Sequence, residues 1–198
     1  MYPADIDPDS GCRLPLPRRE ELSGEAQAAY DRLLADPQGN TLRGLRGPGG
    51  IQLHSPELSR HSRPLNHYLR NEAGLGGRVR ELAILVTARE FDSQFEWAAH
   101  EDEALRQGIA PELIDTIRYR RSLDAIAQPD AMVIALGREI FGARKVSTAT
   151  FARCLAHFGR RPLVDLVALM GHYASTAALL TAFDMQLDPG QEPGLSEL

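Results

Sequence analysis

The sequence predicts an all-α protein, and three observations carry that prediction. Apolar residues recur at spacings of three and four through most of the chain after Pro48, the signature of one buried helix face. The periodic segments open on a capping residue or a proline, and several close on glycine. No segment sustains a period of two with β-branched residues, so strands are not supported.

The elements follow in order. The stretch through Arg18 has prolines where a helix needs donors, as in RLPLPRRE, and reads as extended or disordered. Ser23 can cap a helix over EAQAAYDRLLAD that ends before Pro37. PQGNTLRGLRGPGG is a long Gly-rich loop. Ser55-Pro56-Glu57 combines a cap, a proline at the first helical position and an acid in the first turn, and its helix runs to about Glu72. Next come a helix from Arg78 to Glu90 and one from Asp92 or Ser93 to the C-terminal Gly108. Pro111, Pro129, Ser147 or Thr148, and Pro162 open four more. The division read from this pattern is an arm with one helix and the Gly-rich loop over 1–47, a helical domain over 48–188, and a tail over 189–198.

Composition excludes several classes. A net charge of −5, with arginines interleaved with acids as in RRSLD, gives no basic stripe for nucleic acid or an anionic membrane. Cys12 and Cys154 form no CxxC pair, which argues against a disulfide framework or structural zinc; Cys154, in an apolar helical pattern, reads as a buried free thiol. The acidic, proline-containing MYPADIDPDSG does not read as a secretory signal, so a soluble, cytoplasmic chain is expected. LVDLVALMGHYASTAALLTAF approaches the ~20 residues that span a bilayer, but it carries Asp165, His172, Ser175, Thr176 and Thr181 and reads as a core or interface helix.

The chemistry concentrates in ELAILVTAREFDSQFEWAAHEDEALRQG. On a helix from Ser93, residues Ser93, Glu96, Trp97, His100 and Ala104 share a face, and the lone Trp97 points that face inward. Glu96 and His100 are then a partly buried carboxylate–imidazole pair suited to proton transfer. The competing reading is a surface pair worth ~0.2–0.5 kcal/mol, and Glu101, Asp102 and Glu103 show that an exposed acidic face exists.

R-E-L-A-I-L, then A-R-E, E-W-x-x-H-E and A-L-x-x-G closely resemble the carboxymuconolactone decarboxylase family, which includes the alkyl hydroperoxidase D proteins. The resemblance is strongest over residues 77–117 and extends, more loosely, over most of the chain after Pro48. It implies a helical bundle of the alkyl hydroperoxidase D-like type that assembles as a homo-oligomer. In the redox branch the cysteines of a C-x-x-C-x-x-x-H motif fall here on Ser93 and Glu96, with the preceding glutamate on Glu81. A thiol-dependent peroxidase is therefore disfavoured, since that exchange needs both sulfurs. The decarboxylase branch implies chemistry without cofactor or metal on a small lactone or carbonyl acid. His100 is then the proton donor, Glu96 its orienting partner and Glu81 a second acid or hydrogen-bonding member. Ser93, Trp97, Arg78 (or Arg80) and His54 are the candidate substrate contacts.

Alternatives stay open at this point. Arg78 and Arg80 read equally as solvent-facing, His54 equally as a loop or capping residue, and His172 with Tyr173 as core. His61 and His67 read as helix surface. A metal held by Glu81, Glu96 and His100, with His54 or His172, is a minority reading. A non-catalytic oligomeric module that binds a small ligand or partner is the main alternative function, favoured by the long apolar C-terminal helix.

Overall fold

A computed structural model describes residues 2–35 and 44–195. Among these it is all-α, with α1 Gly24–Ala35, α2 Pro48–Gln52, α3 Pro56–His67, α4 Gly77–Glu90, α5 Gln94–Arg106, α6 Pro111–Arg118, α7 Asp130–Gly137, α8 Thr148–Phe158 and α9 Arg160–Ala182. The described residues hold no strand, only one isolated bridge between Asp7 and Cys12. Two helices tail off into wider π-type turns, Tyr68–Glu72 after α3 and Arg138–Ala143 after α7. Residues 37–43 of the expected Gly-rich loop lie outside the described residues, and 48–52 form α2.

The chain divides into two compact units, Met1–Leu65 with Ala178–Glu192, and Asn66–Ala177 with Pro193–Leu198. The division differs from the boundaries at 47/48 and 188/189 read from the sequence.

In the first unit the proline-containing arm is folded where an extended or disordered stretch was expected. The Asp7 carboxylate accepts the N–H groups of Asp9 and Ser10, closing a turn that buries Ile6 and Cys12. Backbone bonds from Arg13 N–H to Phe183 O (2.8 Å) and from Gln186 N–H to Gly11 O (2.9 Å) tie the arm to the irregular stretch after α9. The apolar centre is Ala29, Leu33 and Leu53, packed with Tyr30 and Leu45. Gly50 is required there, because a Cβ would stand 1.9 Å from the Leu45 carbonyl oxygen.

In the second unit α4 is the central helix, packed against α5, α6 and α7, while α8 packs on α7. Every residue from Glu81 to Arg89 is buried, so α4 is apolar nearly all round where a surface helix would show a stripe. Leu82, Ile84, Leu85 and Val86 are fully enclosed, each worth about 1.5–3 kcal/mol of burial. Gly137 lets α7 close on α4, since a Cβ would lie 2.5 Å from a Val86 methyl.

The 23-residue α9 is the one helix among the described residues that length and composition would allow to cross a membrane. Half of its most apolar stretch is buried, through Leu163, Leu166, Leu169, Met170, Tyr173 and Ala177. Val164 and Val167 stand on its other, exposed side.

Candidate active site

The α4–α5 hairpin builds the site. Ser93 ends α4's hydrogen bonding by donating its N–H to Ala88 O (2.8 Å) and starts α5 by accepting Trp97 N–H (3.0 Å). Two antiparallel helices result, and Glu81 on α4 comes level with His100 on α5. Both are buried, with side chains 0% and 2% exposed. His100 Nδ1 lies 2.7 Å from Glu81 Oε2, and Arg80 Nε donates to Glu81 Oε1 at 2.8 Å.

These contacts fix the protonation pattern. Burial pushes Glu81 towards neutrality, but its bonds to His100 and Arg80 outweigh burial and hold it below the usual carboxylate range. Burial pushes His100 below the usual histidine range, with the Glu81 charge opposing. An ionised Glu81 only accepts, so the neutral His100 carries its proton on Nδ1. Its Nε2 is left as a bare lone pair, buried and without a partner.

Glu96 lies one turn before His100 and is 0% exposed, yet neither carboxyl oxygen has a hydrogen-bond partner of normal geometry. Burial pushes it up to about 8, with the neighbouring Ser93 hydroxyl offsetting only part. Near neutral pH it is a protonated acid. Buried polar groups nearly always have partners, so Glu96 Oε1 and Oε2 and His100 Nε2, without one inside the chain and on one helix face, make this face the candidate site.

The expected site residues fall into two groups. Glu81 and His100 meet in a hydrogen bond, and Glu96 lies one turn before His100 on α5 with Ser93 beside it. The partner that orients His100 is Glu81, however, and not Glu96 as expected, because two helices facing each other bring residues closer than one turn of a single helix does. Arg78 is engaged elsewhere: its fork grips Asp130 through Nε–Oδ1 (3.1 Å) and a second nitrogen to Oδ2 (2.6 Å), and it also donates to Gly108 O. Trp97 is a packing residue, its N–H given to Glu101 Oε2 (2.9 Å), its ring covered by Arg118 at 5.4 Å and its edge met by Gly194. His54 belongs to the first unit, with its ring nitrogen 2.9 Å from Pro15 O. His61 and His67 are exposed, as expected.

Of the groups around His100 the sequence reading did not single out Arg70, while it read Tyr173 and His172 as core. Tyr173, expected as core, is 4% exposed and sets its ring edge-on to His100, with centroids 5.1 Å apart. The Arg70 guanidinium donates to the Tyr173 hydroxyl, and Arg80 donates to the Arg70 carbonyl at 2.9 Å. Arg70 and Tyr173 are 103 positions apart, so no local spacing announces the pair. His172, beside Tyr173 at 5.9 Å, is half-buried, and burial lowers its pKa. No group of three or more His, Cys, Asp or Glu side chains among the described residues is placed to hold a metal ion. In comparisons with known proteins, no family model matches the chain, and no curated protein matches it.

Proposed function

We propose that the protein is an acid–base enzyme needing no cofactor, which moves a proton to or from carbon in a small lactone or carbonyl acid. One observation carries this reading: a buried base, His100 Nε2, and a buried protonated acid, Glu96, lie one turn apart on α5 with no internal partner. Acid and base poised near the working pH are what such a reaction needs. His100 Nε2 takes a proton from a carbon next to the carbonyl, the C–H electrons form a C=C bond, and the carbonyl electrons move onto oxygen. Glu96 then protonates the far end of the enolate, and the proton on His100 resets Glu96. In the decarboxylating version, which the resemblance to carboxymuconolactone decarboxylases suggests, carbon dioxide leaves with its bonding electrons passing into the dienolate, and Glu96 supplies the proton to carbon.

The test is hydrogen–deuterium exchange in D2O, followed by proton NMR, on a β,γ-unsaturated γ-lactone with and without a carboxymethyl arm. The protein is expected to accelerate loss of the ring C–H signal or, with an α,β-unsaturated γ-lactone bearing a carboxylate directly on its γ-carbon, release of carbon dioxide, and His100→Asn and Glu96→Gln are each expected to slow it at least a hundredfold. Equal rates with and without protein would sink the reading.

A second reading is favoured by a separate observation. Val164 and Val167, one turn apart on α9, present an apolar face that is 67% and 39% exposed, respectively. We propose that this face joins copies of the chain into a homo-oligomer, either as a setting for the enzyme or as the core of a non-catalytic binding module. Sedimentation of Val167→Glu should show a smaller species if the face is an interface. A thiol peroxidase is not supported, since both cysteines are buried and burial pushes the Cys154 thiol up, away from the reactive thiolate.

A further inference from the structure

We infer that Tyr173, held by Arg70, is the site's oxyanion donor, so that the ligands it takes are carbonyl compounds that pass through an enolate. The inference deepens the acid–base reading and rests on it.

Four observations converge. The Tyr173 hydroxyl accepts a hydrogen bond from Arg70 and, among the described residues, has no acceptor for its own proton, so that proton is available to a ligand. Its ring stands against the His100 imidazole at 5.1 Å, with the planes at 84°, which packs the phenol directly against the base. Burial first, and then the Glu81 charge, oppose its ionisation and outweigh Arg70, so the phenol keeps its proton beside the Glu81–His100 pair. Arg70 reaches it from the π-type turn Tyr68–Glu72, an irregularity that often re-aims a side chain at a working site.

The chemistry follows from those positions. When His100 Nε2 removes the carbon-bound proton, negative charge collects on the former carbonyl oxygen. A base and an acid alone leave that charge uncompensated in a buried setting, which is costly. A neutral phenol backed by a guanidinium supplies a strong hydrogen bond to it, stronger to the enolate than to the ground-state carbonyl, and so accelerates the step. Arg70 touches Tyr173 and not the ligand, and is a positioning residue.

The probe is 4-nitrophenol, whose phenolate mimics a planar enolate and absorbs in the visible. Titrated with wild-type protein below its solution pKa, it is expected to bind as the coloured phenolate. Tyr173→Phe, which keeps the ring against His100, should keep the circular dichroism spectrum, lower Tm by a few degrees as Arg70 loses its acceptor, and cut the ionised bound fraction at least tenfold, and Arg70→Lys should give an intermediate value. On the lactone exchange reaction, Tyr173→Phe should lower kcat about a hundredfold, with KM little changed. Phenolate binding that is absent, or equal in wild type and Tyr173→Phe, overturns the inference. Phenolate binding that depends on Tyr173 in a protein that exchanges no lactone proton upholds the oxyanion site and overturns the proton-transfer reading. Exchange that depends on His100 but not on Tyr173 does the reverse.

Discussion

Two glutamates of the second unit show how one residue type can be put to opposite uses. At the corner between α7 and α8, Glu139 is half-buried and surrounded by donors: Ser147 N–H at 2.6 Å, Ser147 Oγ at 3.3 Å and Thr150 Oγ1 at 2.6 Å. Burial opposes its charge, but those bonds outweigh burial and hold it below the usual range. Ser147 is then fixed to cap α8 by accepting Thr150 N–H (3.2 Å). In the α4–α5 hairpin, Glu96 is fully buried with only the Ser93 hydroxyl to oppose it, and burial drives it to about 8. The first carboxylate fastens a corner. The second keeps its proton through burial, and a buried acid one turn from a buried base is the arrangement on which the proposed proton transfer rests.

The largest effect is expected where the hairpin's charge is paired. Glu81→Ala leaves the Arg80 guanidinium and His100 Nδ1 without their buried partner, which typically costs about 3–5 kcal/mol. Urea denaturation of the variant should show that loss with an unchanged m-value. A loss under about 1 kcal/mol would mean that Glu81 and Glu96 are interchangeable neighbours and that the paired end has no special role.

Next is the orphaned acid, where the effect depends on pH. The folded-state pKa of Glu96 is raised from its ordinary 4.5 to about 8. Its stabilising contribution is therefore fully present below 4.5 and is lost progressively as pH rises to about 8, at a limiting slope of about 1.4 kcal/mol per pH unit. Glu96→Gln carries no titrating group and removes this slope, so the variant should gain on wild type by a few kcal/mol between pH 5 and pH 9. Parallel stability curves for the two proteins over that range would show that Glu96 is ionised in the fold.

The sequence disclosed different parts of this comparison unequally. The helix class and most helix starts are local properties, so Ser55-Pro56, Pro111 and Ser147 announce the helices that follow them. Glu96 and His100 were legible because one turn of one helix relates them. The Glu81–His100 bond was legible only as a grouping of residues, since the partner assignment depends on how α4 and α5 face each other. Tyr173 and Arg70 were not legible, because an apolar helix and a π-type turn a hundred residues apart meet only in the folded chain. Arg78 misled for the same reason: its partner Asp130 lies 52 positions away. Trp97 was rightly read as pointing inward, but an inward face can end in packing as well as in a site.

The smallest effect belongs to the fastened corner, and its pH sense is the reverse of that at Glu96. The folded-state pKa of Glu139 is lowered, so its contribution is present above the ordinary value of 4.5 and is lost as pH falls through the folded-state value. Glu139→Gln keeps the shape but weakens the bonds to Ser147 and Thr150 and gives one arm of the amide the wrong polarity towards the Ser147 N–H. With the corner open to solvent, the loss near pH 7 should be about 1 kcal/mol. It should shrink on acidification, because protonated wild-type glutamate and glutamine then offer the same donors similar acceptors. Thermal melts at neutral pH and at the lowest pH where the chain stays folded decide it. A deficit that grows towards acid would mean that the corner prefers the neutral side chain, and the contrast between the two glutamates would fail from the Glu139 side.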